Sequence, residues 1–208
     1  GFLAEAVKGL RQAYPGVQFE LAVVAPGQVN QMLRQGDTDL GLKYSLSPEK
    51  DASLLHAMTA PVMAVLRPGH PLARCTALTV AEAVGYPLAM GPAGTTSRSL
   101  FDLACSQRGL QYVPALEGNF SSALLSMLVE RVILPAGYLT VAHAVAAGDL
   151  RAIPFTEPEL QQRRLCLLAQ NGRSLLPPVQ ALADLLVASM ARYGKRKVRA
   201  VRPGAAPR

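Results

Sequence analysis

Leu88-Ala89-Met90-Gly91-Pro92-Ala93-Gly94-Thr95-Thr96-Ser97 is the stretch that decides the fold class of this chain. Three apolar residues suited to a buried strand run into a turn of two glycines and a proline, and hydroxyl residues of the kind that open helices close the turn. The spacing predicts a helix from there to about Arg108, stopped by Gly109. The succession recurs downstream: Tyr112 to Leu116 as strand, Ser121 to Glu130 as helix, Val132 to Leu134 as strand, and Gly137 to Ala147 as helix ended by Gly148. Strands alternating with helices of about ten residues predict an α/β fold with mostly parallel sheets.

Toward the N-terminus, Phe2, Leu3, Ala6, Val7, Leu10 and Ala13 recur at helical spacing until Pro15-Gly16. Val17, Phe19, Leu21 and Val23 alternate as in a strand, and Pro26-Gly27 precedes a short helix carrying Val29, Met32 and Leu33 and capped by Gly36. Leu40 to Leu42 begins a strand that would complete a parallel β-α-β unit. Pro61 to Leu66 reads as a buried strand, and Thr79-Val80-Ala81-Glu82 as a capping box. The last strands are Leu150 to Pro154 and Leu165 to Ala169, before a helix from about Pro177 to Met190.

The net charge of +7 suggests a nucleic-acid surface until its position is considered. From Arg192 onward there are seven basic residues and no acidic one, so the 21 basic residues of the chain leave 14 before that point, against 14 acidic ones. The body is electrically balanced and is not read as a DNA binder. The end of the chain, with Pro203, Gly204 and Pro207, reads as a flexible basic tail over residues 192–208. Cys75, Cys105 and Cys166 have neither disulfide nor zinc spacing, which fits reduced cytosolic thiols. No apolar run reaches membrane-spanning length, no leader opens the chain, and no nucleophile elbow, His-Glu-x-x-His, phosphate loop or acid pair is found.

Three stretches, in this order, resemble the effector-binding domain of LysR-type transcriptional regulators. They are Tyr14-Pro15-Gly16-Val17 with Gly36-Asp37-Thr38-Asp39-Leu40-Gly41-Leu42; Arg67-Pro68-Gly69-His70-Pro71-Leu72-Ala73; and Ser121-Ser122 through Leu128-Val129 to Ile133-Leu134-Pro135, followed by Ala147-Gly148-Asp149-Leu150. The resemblance implies an α/β, type 2 periplasmic-binding-protein fold, two Rossmann-like lobes joined by crossover strands near His56–Pro61 and near Arg151–Thr156. Lobe I would comprise residues 1–58 and 154–191, and lobe II residues 59–153. Two departures stand out: Gly1 already lies in the opening helix, where family members first carry a strand, and Glu130-Arg131-Val132 is a short connection for the family.

By the same resemblance the chain is a ligand-sensing domain, not an enzyme, that binds a small anionic metabolite in the cleft between lobes. It would modulate DNA binding by a helix-turn-helix domain outside this stretch. The family implies a homodimer, tetrameric in the full-length regulator, cytoplasmic, without cofactor, metal or membrane. The competing readings are a solute-binding protein of a transport system, which needs an export leader, and an enzyme on the same scaffold, which needs an acid, base or nucleophile.

Candidate ligand contacts gather at loop-to-helix junctions, where free amides and the helix dipole favour an anion. Ser121 and Ser122, after Asn119, match the family position that gives a hydroxyl to the effector, and equally suit an N-cap. Thr95, Thr96 and Ser97 occupy a second junction, either as site lining or as caps. Lys43 and Ser45 follow the strand ending at Leu42, and Lys43 would pair with a carboxylate or simply face water. Val62 lies on the expected hinge strand, as pocket wall or as core. Arg98 is a weaker candidate, one turn into a helix. His56, His70 and His143 have no partner pattern and read as packed or surface residues.

Overall fold

The computed structural model describes residues 2–119, 121–129 and 131–200, with all their side chains except those of Pro26, Ser121, Ser122 and 194–200. In chain order the elements begin with α1 (Phe2–Ala13), α2 (Pro26–Gln35), β1 (Leu40–Ser45), β2 (Ser53–Thr59), β3 (Val62–Leu66), α3 (Val80–Val84) and β4 (Ala89–Met90). They continue with α4 (Thr96–Ser106), β5 (Leu116–Glu117), α5 (Ser121–Ser126), β6 (Leu134–Gly137), α6 (Tyr138–Ala147), β7 (Arg151–Pro154), a 3-10 turn (Pro158–Gln161), β8 (Arg164–Ala169) and α7 (Pro177–Ala200). The chain forms two compact units: unit 1 from Gly1–Thr59 with Arg164–Arg196, and unit 2 built on Ala60–Arg163. The second passage between them follows Arg163, later than the expected Arg151–Thr156. β7 stays paired with β3, and buried Arg163 donates to the carbonyls of Ala60 (2.8 Å) and Pro61 (3.4 Å).

Unit 1 carries an antiparallel sheet of order β1-β8-β2, with Leu42 opposite Leu167 and Ala57 opposite Cys166. This corrects the expected parallel β-α-β unit. Residues 17–24 form no strand, although Phe19, Leu21 and Val23 alternate, because no neighbouring strand completes a ladder with them; Val23 is 94% exposed. α2 packs directly on β1: a Cβ on Gly41 would stand 2.6 Å from Val29 Cγ1 and 3.2 Å from Leu33 Cδ1. Leu33, Ala52, Cys166 and Leu168 form the core beneath it. Gly36 ends α2 at φ 79°, a left-handed conformation that glycine adopts without strain.

α7 continues to Ala200, past the expected end at Met190, so the first part of the expected flexible tail is helical. Lys, Arg and Ala are strong helix formers, and Arg192 is held by Glu5 (3.3 Å) and Ser189 (3.0 Å). Residues 201–208, the rest of that expected tail, lie outside the described residues.

In unit 2, β3 is central to the order β6-β3-β7 and antiparallel to both neighbours. All five of its residues are buried. Val62, Ala64 and Leu66 join one cluster with Phe101 and Ile153, while Val65 joins a second with Leu124 and Leu134. Phe101 is fully buried and meets Tyr112 and Phe155 edge to face, at 5.3 and 5.7 Å between ring centres. Burial of each such side chain contributes about 1.5–3 kcal/mol. The expected capping box is present, with the Thr79 hydroxyl accepting from Glu82 N (3.1 Å) and the Glu82 carboxylate accepting from Thr79 N (2.7 Å).

Candidate functional site

The parallel strands of unit 2 are β4, β5 and β6. β4 pairs with β5, and the segment leading into β4 pairs with that leading into β6 through a parallel bridge of Leu88 with Ile133. Their carboxyl ends therefore lie along one edge, and each runs into a helix. β4 leads through Gly91–Thr95 to α4, β5 leads through residues 118–120 to α5, and β6 leads into α6 with Gly137 ending the strand and capping the helix.

No side chain caps α4 or α6. Thr95 stands at the N-cap of α4, but its hydroxyl donates back to the Pro92 carbonyl (2.9 Å) instead of accepting from the helix. Gly94, at φ 84°, makes the turn that brings it there. Among the described residues the first-turn amides of both helices are thus free of side-chain partners, and each helix start carries about half a positive charge. Thr95, Thr96 and Ser97 are half-buried at this edge, and Asn119 is exposed on the β5–α5 connection. The side chains of Ser121 and Ser122 lie outside the described residues; the backbone places both at the start of α5.

Arg98 does not simply face water. Its Nε donates to both carboxylate oxygens of Asp102 (3.0 Å each), its Nη1 donates to Glu117 (3.2 Å), and its guanidinium lies 5.5 Å over the Tyr112 ring. Tyr112 in turn donates to Asp102. This ties the first turn of α4, which carries Thr96 and Ser97, to the end of β5. Burial, with Asp102 nearby, pushes the Cys105 thiol up to about 11, so it stays protonated and unreactive.

Three further candidates are engaged within their own units. Val62 is fully buried in the core cluster of unit 2, opposite Gly137 in the ladder. Lys43 lies in unit 1, where its ammonium pairs with Glu49 (2.9 Å) and donates to Asn30 Oδ1 (3.0 Å). Ser45, also buried in unit 1, donates to the Ser47 carbonyl (2.8 Å). Burial would raise the Glu49 carboxyl, but the hydrogen bonds from Lys43 and Asn30, with the Ser45 hydroxyl close by, hold it below its ordinary range. Lys43 is therefore already neutralised. Among the described residues no group of His, Cys, Asp and Glu side chains is placed to hold a metal, and no helix is long and apolar enough to cross a membrane.

Residues 1–191 match the family model of the LysR substrate binding domain. This chain belongs to that family. The family is that of LysR-type effector-binding domains, a class found in transcription regulators rather than in enzymes. The chain is 25% identical over 193 residues to the HTH-type transcriptional regulator YfeR of Shigella flexneri, covering 88% of this chain and 59% of that protein. It is 29% identical over 115 residues to the HTH-type regulator cbl of Escherichia coli K12, covering 52% and 34%. The domain thus spans little more than half of the first of these relatives.

Among solved structures, the regulatory domain of Synechocystis CcmR in complex with 2-PG superposes with TM-score 0.71 at 19% identity, covering 90% of each chain. The effector-binding domain of QuiR in complex with shikimate gives 0.67 at 18%, covering 93% of this chain and 90% of that one. These likenesses show the type 2 periplasmic-binding-protein fold for the LysR domain.

Proposed function

We propose that this LysR domain senses a small anionic metabolite at the edge of unit 2 where α4, α5 and α6 begin. The observation that carries the reading is that α4 and α6 start without side-chain caps at the carboxyl ends of mutually parallel strands. In α/β sheets that is where ligands sit, and amides aimed at a common edge suit a carboxylate or phosphate. Thr95, Thr96, Ser97, Asn119, Ser121 and Ser122 are the proposed polar contacts. The ligands of the similar domains, 2-PG and shikimate, support a small polar effector. We further propose that the regulator works in the cytoplasm as a dimer or tetramer, and that effector binding shifts the conformations available to a DNA-binding domain outside this stretch.

Micromolar to millimolar affinity corresponds to about 4–8 kcal/mol. A carboxylate present at about a hundred times its Kd would raise the melting temperature by roughly 5–10 °C. A thermal-shift screen of small carboxylates and phosphates, shikimate and 2-PG included, tests this. Thr96→Ala and Ser121→Ala are expected to weaken the response about tenfold or more in calorimetry while leaving the melting temperature of the free domain within a few degrees. Unchanged affinity in both variants would remove this edge from the site.

A further inference from the structure

His70 sits in the turn Arg67–Ala73, 3% exposed, and both of its ring nitrogens are engaged by backbone. The amide of Leu72 donates to Nδ1 (3.0 Å), so Nδ1 carries the lone pair and Nε2 the proton. That proton points at the carbonyl of Arg131, 3.3 Å away. From the same turn, Arg67 Nε donates to the carbonyl of Leu128 (2.6 Å). The turn therefore grips the segment that follows α5 at two carbonyls. Tyr86 lies against the imidazole with ring centres 4.6 Å apart, and the Arg131 guanidinium is 5.6 Å from the same Tyr86 ring.

We propose that His70 is a positioning residue that holds the chain behind α5, through the Arg131 carbonyl, only while its imidazole is neutral, which makes that stretch responsive to pH. A further proton can bind only at Nδ1, directly opposite the Leu72 amide. The N–H to Nδ1 bond is then lost, two donors face each other, and a cation appears beside Arg131. The titratable and charged groups against the ring are Arg131 and Tyr86, with Arg67 and Arg74 on its own turn; Glu130 lies outside the described residues. None of the four can offset an imidazolium. Burial, aided by the Arg131 charge, holds the imidazole below its ordinary value against the opposing hydrogen bond to the Arg131 carbonyl.

The test is amide exchange of this chain without added ligand, from about pH 8 to about pH 5 and corrected for intrinsic exchange. Peptides covering 121–132 are expected to lose protection by about tenfold per pH unit below the ordinary histidine range, the slope of a single coupled proton, while the sheet of unit 1 does not. His70→Asn keeps an acceptor for Leu72 and His70→Gln keeps a donor for Arg131; neither titrates, and both are expected to flatten the profile. Should these variants fail to fold, the imidazole signal of the unaltered chain, followed by NMR, must titrate below the ordinary range and in step with the loss of protection. Flat protection in the unaltered chain, an unchanged slope in the variants, or titration without a change at 121–132 overturns the proposal. Carboxylate binding at about pH 7.5 reads the proposed site separately, so either idea can fail alone.

Discussion

In unit 1 the polar side chains that stand near a strand tip, Lys43 and Ser45, are taken up by Glu49 and by the Ser47 carbonyl, whereas in unit 2 the starts of α4 and α6 have no side-chain partner among the described residues. The difference teaches where to look for a ligand. A cation beside a strand is a poor guide, because a neighbouring carboxylate satisfies it at little structural cost. A helix start left uncapped at the end of a buried strand is a better one, since its amides point toward whatever arrives and cannot be satisfied by the helix itself.

The largest blow to the unit 2 side of this contrast is Phe101→Ala, which empties the site between Tyr112 and Phe155 and is expected to cost about 3–5 kcal/mol in urea unfolding. A loss below about 1 kcal/mol would mean that the frame under the helix starts does not depend on this ring.

Glu49→Gln strikes the unit 1 side. It leaves the Lys43 ammonium partly buried with Asn30 as its remaining polar partner, at an expected cost of about 2–3 kcal/mol, while the response to carboxylates stays unchanged. Because the Glu49 carboxyl is held below its ordinary value of 4.5, its contribution is present above that pH and is lost as pH falls through the lowered value. The variant should therefore lack that part of the acid limb in a stability profile. A carboxylate response that weakens with Glu49→Gln would put Lys43 back among the ligand contacts.

The smallest effects come from Gly36→Ala in unit 1 and Gly148→Ala in unit 2. Both glycines end helices at positive φ, 79° and 87°, and each change is expected to cost about 1 kcal/mol in thermal unfolding. Equal costs would show that local chain geometry behaves alike in the two units and that they differ only in their polar groups.

Much of the framework was legible because it rests on local chemistry. Gly36 and Gly148 end their helices, Thr79 and Glu82 cap one reciprocally, and the apolar run of β3 is buried on both faces. The segment 17–24 misled because alternation describes a strand's surfaces without supplying its partner. The sheet of unit 1 proved antiparallel because β8, from far along the sequence, pairs with β1 and β2. The junction Gly94-Thr95-Thr96 was legible as a helix start, but the Thr95 hydroxyl turning back to Pro92 was not. Arg98 and Asp102 stand four apart on α4, a spacing that signals an ion pair. His70 and Arg131 are joined across a long stretch of chain by backbone carbonyls, for which residue identity carries no signal.

Gly137 closes β6, opens α6 and sits opposite Val62 in the ladder. A shift at the head of that helix is a shift at the end of its strand, and the ladder hands it to β3 only two residues after the chain enters unit 2 at Ala60. A substitution at 137 would therefore act on a strand end and a helix start at once.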